Sequence, residues 1–265
     1  MKFLVILLLP MTFLFASEYY AKVEPVEIRD ISSNVSGLVI SADEKNLGKT
    51  LSSESYIKID SELDEKELKY IKSKLEYLQN TVVANEEIVK NLESSLVRKR
   101  TNYKRVEGLK IKSQVEKDKE YYDLINSENQ LLSTQKEIQS LKVQITDLKL
   151  REAVLKRSVS DKNLKANGFV LYELNVKPGQ VVNLSTPLAK VADISKAKLT
   201  IYLNRDDLSG AQNKVVYINE KKTEYKISRV VNIADSKNIS KYMAQIIIDS
   251  PNVFSNLVKI ELKDE

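Results

Sequence analysis

The chain has 265 residues, 42% hydrophobic and 30% charged, which places it among folded proteins, although only 7% of its residues are aromatic and none is Trp. Cys and His are both absent, which excludes disulfides, thiolate or imidazole metal centres, and every Cys–His or Ser–His–Asp nucleophile. The formal net charge of +5 is spread over 42 basic and 37 acidic residues, a balance that suits a solvated surface better than a nucleic-acid groove.

Residues 1–17, MKFLVILLLPMTFLFAS, carry one charge at Lys2, then an apolar run, then the small residues Ala16 and Ser17. That is the pattern of a secretory signal peptide. The run is short for a membrane span, which needs about 20 residues. An uncleaved N-terminal anchor is the alternative. No Cys stands near the cleavage region to accept a lipid.

Residues 34–60 read as a strand, a turn and a second strand. Val35, Leu38, Ile40 and Ala42 lead to the turn KNLG, and Tyr56, Ile57 and Ile59 follow, with Gly37 and Gly48 marking the turns.

From Ser61 to Ser160 there is no proline and one glycine, Gly108. Before it, Leu68, Ile71, Leu75, Leu78, Val82, Val89, Leu92, Leu96, Tyr103 and Val106 alternate three and four apart, with Asn85 and Lys99 at two further positions of the same stripe. After it, Leu124, Leu131, Ile138 and Ile145 recur every seven residues, accompanied by Leu141, Leu148 and Leu155. Two amphipathic helices of about forty residues, joined by a polar link over Gly108–Ser113, form an antiparallel hairpin about 60 Å long at 1.5 Å per residue. Asn85 and Lys99 set its register or loosen its distal packing. A dimeric coiled coil or part of a helical bundle would carry the same stripe.

Residues 161–193 repeat the strand–turn–strand unit. Phe169, Leu171, Leu174 and Val176 lead to the turn KPG, and Val181, Val182, Leu188 and Val191 follow, with Gly168 and Gly179 as turn residues. A lone two-stranded hairpin is marginal in water, so each unit needs the other. The helical hairpin returns the chain to its starting point, which lets the units close into one β-sandwich interrupted by the insertion. Beyond Asp193, short apolar runs over 199–203, 215–218, 225–231, 243–248 and 257–262, with a helical turn near 206–211, suit a small β-barrel.

The order of segments, with VSGLV, LGKTL, YIKID and NGFVLYELNVKPGQVVNLSTPLAKVAD, resembles the periplasmic adaptors, also called membrane-fusion or haemolysin-secretion-D-like proteins, of Gram-negative tripartite efflux and secretion systems. The resemblance implies an α+β fold: a coiled-coil hairpin (61–160) inserted in a split lipoyl-like domain (34–60 and 161–193), followed by a β-barrel (194–265) that the strand within 18–33 joins. It implies no enzymatic activity and no cofactor. Its partners would be an inner-membrane efflux pump, an outer-membrane channel and further copies of the chain in a ring, a hexamer by analogy, in the periplasm.

Drug-efflux members carry an Arg, a Leu and a Ser at the hairpin tip that contact the channel. Arg105, Leu109 and Ser113 occur here in that order, with the Arg-to-Leu spacing matched and the Leu-to-Ser interval about three residues shorter. Copper- or silver-exporting relatives use Met clusters, whereas Met243 is the only Met after the leader, which disfavours soft-metal handling. A proton-driven exporter of drugs or small molecules is the leading expectation. Adaptors of ATP-driven exporters or of type I secretion, and a structural exported coiled-coil protein, are the alternatives.

Overall fold

A computed structural model describes residues 17–234, 238 and 240–264. The expected signal segment, apart from Ser17, lies outside the described residues.

Two long helices dominate. Helix α1 spans Glu62–Glu107 and α2 spans Gln114–Lys162. At 46 and 49 residues they exceed the expected forty, giving a rod of about 70 Å. They run without a Pro or an internal Gly, and acidic residues Glu62, Asp64 and Glu65 sit in the first turn of α1, where the helix dipole favours them.

Around the root of this rod lie short strands from both flanks: β2 (Gly37–Ala42), β3 (Ile57–Ile59), β4 (Asn163–Leu164), β5 (Val170–Leu174) and β6 (Val181–Val182). All of these but β5 place the two flanks in one sheet, because β3, just before α1, pairs with β4, just after α2, and β2 pairs with β6 through Leu38 and Val181. Val39, Tyr56, Ile57 and Ile59 from one flank and Leu171, Val176, Val182, Leu188 and Val191 from the other share a single buried core.

Glycine has a different reason at each turn. Gly48, Gly168 and Gly179 hold φ of 74°, 83° and 88°, the left-handed region that L side chains avoid. Gly37 is a close approach instead, since a Cβ there would stand 2.7 Å from Ile59 Cγ2. Gly108 requires neither; its φ of −75° and ψ of −11° are open to any residue, so glycine contributes there only its poor helix propensity.

A second core is built from β1 (Ser17–Ser32), β7 (Pro187–Leu203), β8 (Val215–Ile218), β9 (Lys221–Lys222), β10 (Ile227–Ala234), β11 (Tyr242–Asp249) and β12 (Leu257–Lys263), in the sheet order β10-β11-β7-β1-β12-β8-β9. It buries Tyr19, Ala21, Val23, Leu199, Ile201, Leu203, Val216, Ala244, Ile246 and Ile260. The start of β1 is stitched to the 3₁₀ turn Arg205–Asp207: the Tyr19 and Ser17 hydroxyls both donate to the Asp207 carboxylate, the latter at 2.8 Å. Burial and that carboxylate push the Tyr19 hydroxyl up to about 12.

The boundary read at Asp193 lies inside continuous backbone. Strand β7 runs through it for 17 residues, and β1 pairs with β7 on both sides, Val23 with Leu199 in one core and Arg29 with Val191 in the other. A β-bulge between Pro25 and Glu27 absorbs the extra residues Ile194–Lys196 of β7 at the crossing. Each β1–β7 strand therefore serves both cores.

Candidate partner-binding tip

The rod is packed unevenly along its length. Near the root, Ile71, Leu75, Leu78 and Val82 of α1 interlock with Ile138, Leu141, Ile145 and Leu155 of α2, with Leu68, Val89 and Leu148 at the margin. Asn85 ends this block: it is buried, and its Nδ2 has no hydrogen-bond partner among the described residues. Beyond it, Leu96 and Leu124 are buried, but Lys99 enters the seam and its Nζ donates to Ser127 Oγ at 2.7 Å. Ion pairs fix the register from outside, Glu67–Arg151 at 2.8 Å, Glu86–Lys142 at 3.0 Å and Arg100–Glu128 at 2.7 Å. Each is solvent-exposed and worth about 0–1 kcal/mol, so they orient the helices more than they hold them.

At the far end the chain turns over residues 108–113, between the last residue of α1 and the first of α2. The turn is braced by polar contacts. Ser113 forms a capping box: its Oγ accepts from the Glu116 amide at 3.3 Å, and its own amide donates to Glu116 Oε2 at 3.0 Å. Lys112 pairs with Glu116 at 2.9 Å, and this pairing, with the Ser113 amide, holds the Glu116 carboxyl down at about 2. Lys117 Nζ donates at 2.9 Å to the carbonyl of Glu107, one of the acceptors left open where α1 ends. Tyr103 and Tyr121 face each other across the helices with ring centroids 5.6 Å apart.

The three tip residues predicted from the sequence fall in one short region but in different roles. Arg105 is exposed, and its side chain makes no hydrogen bond or salt bridge among the described residues. Leu109 is 38% exposed, and its amide is tied to the Val106 carbonyl at 3.2 Å. Ser113 is committed to the capping box, so its hydroxyl is already engaged. Sequence reasoning passed over Ile111 and Val115, which are 89% and 78% exposed. The signal available was an apolar residue between two lysines in the non-helical stretch GLKIKS.

Elsewhere, an open cleft where the rod meets the small sheet is lined by Tyr56, Glu65, Lys156, Arg157 and Asp161. Both of the basic side chains named there are paired, Arg157 with Asp161 at 2.9 Å and Lys156 with Glu152 at 2.7 Å. Among the described residues no group of three or more acidic side chains is placed to hold a metal, and no helix is long and apolar enough to cross a membrane.

This combination of a long helical hairpin rooted in a β core shared by both flanks has counterparts among solved structures. MacA from Actinobacillus actinomycetemcomitans superposes with a TM-score of 0.63 at 20% identity, over 93% of this chain and 78% of that one. A membrane fusion protein from Streptococcus pneumoniae superposes with a TM-score of 0.53 at 11% identity, over 94% of this chain and 99% of that one. The chain has the membrane-fusion-protein fold. A MacA–MexA chimera carrying the α-hairpin domain of Pseudomonas aeruginosa MexA shares the membrane-fusion-protein fold at a TM-score of 0.55 and 16% identity, over 94% of this chain and 82% of that one. No family model matches the sequence, and no curated protein matches it. At these identities the kinship is one of architecture.

Proposed function

We propose that the protein is a periplasmic adaptor, one of several copies in a ring that joins an inner-membrane exporter to an outer-membrane channel for the passage of drugs or other small molecules. The observation that carries this reading is the rod itself: a rigid hairpin about 70 Å long, anchored at its root and bearing at its free end an unengaged Arg105 beside the exposed Leu109. An enzyme would need converging reactive groups; a bridge needs reach, stiffness and a recognisable end.

In this reading the two-core β region rests on the exporter, taken as proton-driven, and the tip meets the channel. Arg105 supplies a planar donor for carboxylates or carbonyls, and Leu109 an apolar contact. Head-to-tail contacts between copies close into a ring, a hexamer by the family analogy. A cleaved leader, residues 1–17, would deliver the chain to the periplasm.

The chain has no Cys, so single-cysteine variants label cleanly. Cysteines placed at Arg105 and at Leu109 in the source cells are expected to crosslink to an outer-membrane channel, and deletion of the protein to raise susceptibility to at least some exported compounds. Absence of any channel adduct from both positions, with susceptibility unchanged, overturns the proposal.

A further inference from the structure

Ile111 is the most exposed large apolar side chain among the described residues, at 89%, and it stands at the summit of the turn between Lys110 and Lys112. Val115, at 78%, lies one turn of chain away, and Leu109, at 38%, on the other side. A bare side chain on a loose loop would carry little meaning. Here the loop is fixed from both ends by the Ser113–Glu116 capping box, the Lys112–Glu116 pair and the Lys117 bond to the Glu107 carbonyl. A rigid apolar projection has already lost the conformational freedom that docking would otherwise remove.

The charge around it is predominantly basic. Between Lys104 and Lys119 there are six basic and three acidic side chains. The acids are engaged: Glu107 by the Tyr103 hydroxyl at 3.1 Å, Glu116 by Lys112 and Ser113, and Asp118 by Gln114 at 2.7 Å. The side chains of Lys104, Arg105 and Lys110 take part in no hydrogen bond or salt bridge among the described residues. An apolar peg ringed by free cations complements an apolar socket ringed by carboxylates.

We infer that Ile111, seated with Leu109 and Val115 in an acid-rimmed apolar pocket of the outer-membrane channel, is the anchor of the tip, and that Lys110 and Arg105 steer it there. This rests on the adaptor reading and adds its partner's chemistry. The Ser of the expected tip triad drops out of direct contact, since Ser113 shapes the loop that presents Ile111.

The test uses the full chain in the source cells, with the photocrosslinker p-benzoylphenylalanine at position 111, 105 or 109, and at Asn102 as an off-tip control. The expected adduct from position 111 is the channel, mapped to a pocket with Asp or Glu at its rim. Ile111→Asp is expected to lower channel co-purification at least tenfold, Ile111→Leu to keep it within twofold, and Lys110→Glu to weaken it in a manner that added salt reduces. All three variants are expected to melt as the parent does, because Ile111 is 89% exposed and the Lys110 side chain makes no hydrogen bond or salt bridge among the described residues. An adduct with lipid or with a second copy of this chain at position 111 overturns the inference, as does Ile111→Asp binding within twofold of the parent. If positions 105 or 109 capture the channel while 111 captures nothing, the inference fails and the adaptor reading stands. If no tip position captures a channel, both fail.

Discussion

The root and the tip of the hairpin are built from the same two helices by opposite means. At the root, eight buried aliphatic residues interlock across the seam, and dispersion with water exclusion holds the helices together. At the tip, hydrogen bonds and ion pairs close the turn, and the aliphatic side chains Ile111 and Val115 point outward. Apolar surface is turned inward along the root and outward at the tip. Asn85 marks the change, as a buried amide with an unmatched donor at the end of the aliphatic block.

Substitutions should separate the two ends. The largest effect is expected from Leu78→Ala at the root, which removes a buried side chain from the interlocked block and should cost about 2–5 kcal/mol in urea unfolding. The equivalent Leu96→Ala beyond Asn85 should instead raise hydrogen exchange mainly in the distal parts of both helices; equal exchange along the whole rod would erase the distinction. In the β core beneath the root, Gly37→Ala drives a Cβ toward Ile59 and should cost about 1–3 kcal/mol, measurable as a lower Tm.

Smaller effects test the boundary and the far end. Asn85→Leu extends the aliphatic block and removes an unsatisfied buried donor, so a gain of about 1–2 kcal/mol is expected in the same urea assay. A loss would show that Asn85 is needed to fix the register. Ser113→Ala removes the α2 cap and should cost about 0.5–2 kcal/mol, with fraying confined to the first turn of α2. The Glu116 contribution has a defined pH window. Its carboxyl lies at about 2 against an ordinary 4.5, so its support for the turn is complete above pH 4.5 and is lost as pH falls through 2. NMR shifts of Gln114–Lys117 should move over that interval and stay constant above it.

Much of the rod was legible in the sequence because a seam imposes a period that solvent does not. Ile71, Leu75, Leu78, Val82, Ile138, Leu141, Ile145 and Leu155, all read as stripe residues, are buried, and the six-residue turn falls on Gly108–Ser113. Periodicity ranks residues by what they hide, however, and so gives no weight to Ile111, which stands exposed. The strand boundaries were less legible for a related reason. Asp193, Ser195 and Lys196 break the apolar alternation, which in sequence looks like the end of a strand. It records only the gap between two cores; the backbone of β7 crosses the gap because its hydrogen bonds to β1 do not depend on side-chain polarity. Among the glycines, composition alone could not distinguish the positive φ of Gly168 from the steric limit at Gly37 or the ordinary helical geometry of Gly108.

The paired passage of β1 and β7 from one core to the other also has a mechanical meaning. A flexible tether between two bodies transmits tension and little else, whereas two hydrogen-bonded ribbons side by side resist bending within their own plane and yield by twisting, most readily at the bulge beside Pro25. An in-plane bending force applied to the second core would accordingly be carried to the base of the rod, with twist taken up at the bulge, and the lever arm of two long helices would convert a few degrees there into a sideways sweep of the tip.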